Sequence, residues 1–91
     1  RDANEPEIVN ALVRAGATVE RLSMQGVPDL LVGYQGRTYL IEVKTEKGSL
    51  TDDQREWVSD WRGGRVRILR SIDQVELWLN ECIVELAVRD D

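Results

Sequence analysis

Histidine is absent from this chain, cysteine occurs once and proline twice. The missing histidine removes His-based triads and the commonest transition-metal ligand. A lone Cys82 excludes an internal disulfide and a zinc cluster. No apolar run approaches the roughly 18 residues that span a bilayer, and no signal-peptide pattern opens the chain, so a soluble cytoplasmic protein is expected. What chemistry there is must come from carboxylates, Lys, Arg and amides. The 91 residues read as a single domain, 1–91, because a chain this short buries only about 60–65% of the surface its unfolded form exposes. With 42% hydrophobic and 32% charged residues, collagen-like and disordered classes are excluded.

A net charge of −5, read alone, argues against nucleic acid. Its distribution is more informative. Acids cluster at Asp52, Asp53, Glu56 and Asp60, whereas the stretch from there to Asp73 holds no acid but Arg62, Arg65, Arg67 and Arg70. Such a basic stripe can hold a phosphate backbone or be the solvated face of a strand.

Pro6 suits the first turn of a helix, with Asn4 or Glu5 as its cap, Ile8, Val9, Leu12 and Val13 as its apolar stripe and Gly16 as its end. Residues 17–22, 29–33 and 38–44 read as strands, the last two joined through a turn at Tyr34-Gln35-Gly36-Arg37. Thr51 with Gln54 forms a capping box for a second helix to about Trp61, stopped by Gly63-Gly64. A fourth strand follows over 65–69. Ser71 with Gln74 opens a last helix, about 72–88. The order α-β-β-β-α-β-α predicts an α/β fold with a central mixed four-stranded sheet and helices on its faces. The tryptophans fall on predicted helices, which makes them core anchors.

Three charged positions stand out. Asp29 follows Pro28 and begins an apolar strand, while Glu42 and Lys44 interrupt another. Side chains alternate along a strand, so Glu42 and Lys44 share one face. A turn centred on Gln35-Gly36 sets Glu42 opposite residue 29, give or take one. Two adjoining carboxylates repel unless a cation lies between them, and oxygen-only ligands favour Mg²⁺ or Mn²⁺. Taken singly, Glu42 and Lys44 are a solvated strand face and Asp29 a turn acid. Gln54 shares a helix face with Trp57, Val58 and Trp61 and points toward the sheet, or it only completes the cap with Thr51.

Gly26-Val27-Pro28-Asp29, Glu42-Val43-Lys44 and Leu50-Thr51-x-x-Gln54, in that order, resemble the PD-(D/E)xK nuclease superfamily, and within it the virus-type replication-repair nuclease (VRR-NUC) group of phage proteins and repair enzymes. The resemblance implies a restriction-endonuclease-like core and a metal-dependent phosphodiesterase. Asp29 and Glu42, with the Val43 carbonyl, would hold Mg²⁺ or Mn²⁺, Lys44 would be the catalytic lysine, and Gln54 the group's helix glutamine. Related nucleases carry a further glutamate on the first helix. Periodicity favours Glu5 over Glu7 for that ligand, although Glu5 can also be only the cap.

The expected activity is a structure-selective DNA endonuclease, since a chain of this size leaves little room for sequence readout. Stand-alone members of the group look like Holliday-junction resolvases, which implies branched DNA as partner, a homodimer, and the cytoplasm of a bacterium or phage-infected cell. Arg62, Arg65 and Arg67 are the candidate DNA contacts. The last helix, with Trp78, Cys82 and Ile83, provides the dimer interface or simply covers the sheet. The alternative function is a non-catalytic DNA-junction or DNA-end binding module of the same fold.

Overall fold

The computed structural model describes residues 2–90, and side chains up to residue 88. Its elements are α1 (Glu5–Arg14), β1 (Thr18–Arg21), β2 (Leu30–Tyr34), β3 (Arg37–Val43), α2 (Asp52–Asp60), β4 (Arg67–Leu69) and α3 (Ile72–Asp90). The expected order and sheet are observed. The four strands lie in the order β1-β2-β3-β4. The first three are antiparallel, and β4 adds parallel to β3. None of the described helices is long and apolar enough to cross a membrane.

The β2–β3 hairpin sets the register of the site. Its two-residue turn has φ of 52° at Gln35 and 77° at Gly36. Positive φ at both positions matches the right-handed twist of the flanking strands, and glycine accepts it without a Cβ clash. Leu30 then pairs with Ile41. One step further along the same register, Asp29 lies beside Glu42.

Alternation along β2 buries Leu30, Val32 and Tyr34 and turns Leu31 and Gly33 outward. The buried set meets Ile41, Val43 and Leu69 from the other strands, Ile8 and Leu12 from α1, and Val75, Trp78, Leu79 and Cys82 from α3. Trp78 meets Tyr39 edge-on, with ring centroids 4.9 Å apart. The helix α1 ends on two backbone bonds, Gly16 N–H to Val13 O and Ala17 N–H to Leu12 O, each 3.0 Å. They satisfy carbonyls that the last helical turn leaves open.

Three expectations need correction. The first concerns the tryptophans. Only Trp78 is a core anchor, at 4% exposure, whereas Trp61 is 44% exposed. Trp61 is the C-cap residue of α2, in extended conformation, and α2 has no fully buried residue. Trp57 and Trp61 instead stack on each other, centroids 4.9 Å apart and planes 19° from parallel.

The second correction is that β4 starts at Arg67, not Arg65. Trp61 donates its indole N–H to Gly64 O at 3.0 Å, which closes the loop before β4 on itself. The third concerns α3. Trp78 and Cys82 face the sheet, so they cover it and are closed to a partner. Of the three residues named for the interface, Ile83 alone is exposed, at 48%.

Candidate active site

Asp29 is held at both ends of its residue. Its carbonyl accepts Leu22 N–H at 2.8 Å, which extends the β1–β2 pairing. Its Oδ2 accepts Val43 N–H at 2.8 Å. The amide of one expected ligand residue therefore orients the carboxylate of another. Before it, the loop at Gly26 passes close to α2. A Cβ on Gly26 would lie 3.3 Å from the Asp53 carbonyl oxygen, and its φ is +79°. Glycine is what lets this loop close on the start of α2.

Glu42 is 2% exposed, flanked on β3 by the buried Ile41 and Val43. Burial pushes its carboxyl up to about 8 from 4.5, and the hydrogen-bonded Asp29 carboxyl adds to the rise. The Lys44 ammonium opposes the rise, and Asp2 reinforces it. Lys44 Nζ lies 4.0 Å from Glu42 Oε1.

Gln54 does both things that its position allows. Its N–H and Oε1 complete the capping box with Thr51, at 3.2 and 2.9 Å. Its Nε2 donates to Glu42 Oε1 at 3.1 Å. One amide thus closes the start of α2 and fixes the rotamer of the buried glutamate.

Two residues that the sequence does not mark for the site hold its backbone. Asn4 occupies the N-cap of α1 yet makes no side-chain cap bond. Its Nδ2 donates to Lys44 O and Arg70 O, at 3.0 and 3.1 Å, tying α1 to the ends of β3 and β4. Arg70 sends Nη1 to Thr45 O at 2.8 Å and also to Gly48 O. This clamps the loop between Lys44 and α2. No local pattern could show either role, because the acceptors are remote in sequence.

Asp29, Glu42, Lys44 and Gln54 line one cleft of about 540 Å³, together with Asp2 and Asp53. The remaining candidates lie elsewhere. Glu5 is buried, at 2% exposure, and Glu7 is exposed. Glu5 Oε2 receives Arg21 Nε at 3.2 Å, and the residue is not part of the cleft wall. Among the described residues no three His, Cys, Asp or Glu side chains converge to hold an ion. Arg65 and Arg67 line a second cleft further along β3, and Arg62 is exposed on the loop after α2.

The donor set still fits a hard divalent cation. It offers the Asp29 and Glu42 carboxylates and the backbone carbonyl of Val43, all oxygen. Burial that forces a proton onto Glu42 marks where positive charge belongs. Such an ion would supply Lewis-acid polarisation of a phosphoryl oxygen and a more acidic bound water.

Residues 4–72 match the family model described as the VRR-NUC domain. A Fanconi-associated nuclease 1 homolog from Arabidopsis thaliana is 41% identical over 56 residues, covering 55% of this chain and 6% of the plant protein. The chain thus corresponds to a small part of that relative's length. A solved structure described as a VRR_NUC domain superposes with a TM-score of 0.66 at 25% identity, covering 87% of this chain and 97% of the other. Glu42 and the three residues gathered around it, Asp29, Lys44 and Gln54, all fall inside the matched stretch.

Proposed function

This chain belongs to the VRR-NUC family of nuclease domains, and from that premise we propose that it is a divalent-metal-dependent endonuclease acting on branched DNA. The observation that carries the reading is the buried Glu42, with Asp29 at its carboxyl, Lys44 Nζ at 4.0 Å and Gln54 Nε2 at 3.1 Å.

In this reading Asp29 and Glu42, with the Val43 carbonyl, hold Mg²⁺ or Mn²⁺, which supplies the charge to polarise the phosphodiester and acidify a water. Lys44 stabilises the charge that develops on the phosphate oxygens in the transition state. Gln54 keeps Glu42 in the rotamer that faces Asp29. Glu5, buried on α1 and bonded to Arg21, is the proposed helix carboxylate for the same ion.

Two cuts across a four-way junction need two active sites, hence a two-fold dimer. The outer face of α3 offers a surface for such a dimer. Leu77, Val84 and Val88, at 63%, 60% and 68% exposure, recur at helical spacing on the side away from the sheet.

The test uses labelled junction, flap and linear duplex, with Mn²⁺ or with EDTA, beside Glu42→Ala and Lys44→Ala. Metal-dependent products are expected from the wild type and lost in both variants. Products that persist in both variants sink the site. Binding without products on every substrate favours the non-catalytic module.

A further inference from the structure

The face of the sheet that carries Glu42 continues as an exposed apolar floor. Ile68 pairs with Glu42 and is 38% exposed, and Leu31 is 37% exposed and pairs with the half-buried Leu40. β4 pairs only with Ile41–Val43, which leaves the first half of β3 as an open edge on that side among the described residues. At this open edge lies a cleft of about 710 Å³ that spans both faces of β3: Leu31 and Leu40 belong to the Glu42 face, Arg37 and Arg67 are in register with the opposite face, and Trp61 and Arg65 come from the segment before β4.

Two features show that the cleft is built and not incidental. Trp61 is exposed yet rigid. Trp57 stacks on one of its faces, and Gly64 O fixes its N–H. A Cβ on Gly63 would come within 2.5 Å of the ring, so glycine lets the loop pass against it. Arg67 lines the cleft, and its buried Nε has no hydrogen-bond partner among the described residues. Arg67 is in register with Ile41, so an acceptor for this N–H comes at the β3 edge and not on the Leu31 and Leu40 floor. Opposing charge comes from Glu85, which is 3.8 Å from Arg37 Nη1.

We propose that this cleft takes an unpaired stretch of DNA strand on one side of the scissile phosphate. Its bases lie on the Trp61, Leu31 and Leu40 surface, and its phosphates follow the open edge of β3, where they meet Arg65 and, from the opposite face, Arg37 and Arg67. The proposal rests on the DNA-cleaving reading of the carboxylate site. A duplex turns phosphates and groove edges outward and cannot cover an apolar floor, whereas unstacked bases can. Leu40 is two residues from Glu42 on the same face, about 7 Å. That is roughly one nucleotide step, so the unpaired stretch starts next to the cut. Substrates frayed or branched at that point are the class that fits. The acids around Trp57, namely Asp53, Glu56 and Asp60, keep the phosphate path on the arginine side.

The test is fluorescence anisotropy with a short labelled oligothymidine, and with the same strand annealed to oligodeoxyadenosine, both in EDTA. The wild type should bind the single strand more tightly. Trp61→Ala should weaken single-strand binding by about tenfold, the order of one lost base–aromatic stack, and leave duplex binding within about twofold. Trp61→Phe should restore most of the loss, and Arg65→Ala should weaken binding and flatten its salt dependence.

Equal losses on both ligands, no loss from Trp61→Ala, or no preference for the single strand overturns the proposal. So does sedimentation showing that a second copy covers Trp61, or a labelled acidic peptide that displaces the oligothymidine at lower concentration. Chelated metal separates the two readings. If the binding pattern holds and no substrate is cut, the cleft stands and the nuclease reading falls; if cutting is metal-dependent and Trp61→Ala binds as the wild type, the reverse follows.

Discussion

Glu42 keeps its proton to about pH 8 because the fold removes it from water beside Asp29. In the unfolded chain the same group ionises near 4.5. Below that value both states are protonated and folding is not penalised. As pH rises toward 8 the unfolded state loses the proton and the folded state does not, so stability is lost across that window. Thermal unfolding in EDTA should therefore show Tm falling between about pH 5 and 8, by several degrees. Glu42→Gln should flatten the slope. Adding Mg²⁺ at pH 8 should raise Tm in the wild type and not in the variant, because the cation replaces the proton. A slope that survives Glu42→Gln would show that another group causes it.

The same residue scale gives a second outcome, at Gln54. Gln54→Ala removes the side-chain half of the cap with Thr51 and the bond to Glu42 together, at about 1–2 kcal/mol. Gln54→Glu keeps an acceptor for Thr51 N–H but sets another carboxylate against Glu42. Its Tm should match the wild type near pH 5 and fall below it near pH 8. Cleavage should drop with both variants, and a Gln54→Ala enzyme with full activity would reduce Gln54 to a helix cap.

Among the elements, α1 shows how a local signal serves a remote purpose. Asn4 at a helix start reads as a cap, which is the commonest use of that residue there. In the fold its amide bridges Lys44 O and Arg70 O, which lie 40 and 66 residues away. Asn4→Ala should cost about 1–3 kcal/mol, since two acceptors lose their donor, or a Tm lower by about 5–15 °C. It should also slow cleavage, because the backbone of Lys44 loses a restraint. Asn4→Asp separates the roles. A carboxylate is a good helix cap but cannot donate to the two carbonyls, so Asn4→Asp should melt as low as Asn4→Ala. An unchanged melt for Asn4→Asp would mean that the cap, not the bridge, matters.

At the scale of the whole molecule, one face of the sheet is sealed by α1 and α3, and the other stays open around the site. Six of the exposed apolar residues fall into two groups. Leu31, Trp61 and Ile68 lie near the site, and Leu77, Val84 and Val88 lie on the back of α3. The second group is the face assigned to the proposed dimer. Val84→Glu places a charge at the centre of that stripe, and light scattering should show a halved mass with thermal stability nearly unchanged. A mass equal to the wild type's would remove α3 from the interface.

Alternation along β2 and β3, the two-residue turn and the Thr51–Gln54 box are short-range physics, so the sequence alone determined the hairpin register and with it the approach of Asp29 to Glu42. The capping box likewise placed α2, because both of its bonds lie within one helical turn. The tertiary structure decided the rest. Whether a tryptophan at helical spacing is buried depends on what the helix lies against, and α2 lies against too little to cover Trp61. Where β4 begins depends on a loop that Trp61 anchors, not on the β propensity of Arg65-Val66. The proton on Glu42 and the bridge made by Asn4 arise from groups brought together across the chain, and spacing along a sequence carries no information about desolvation or about partners that only folding makes neighbours.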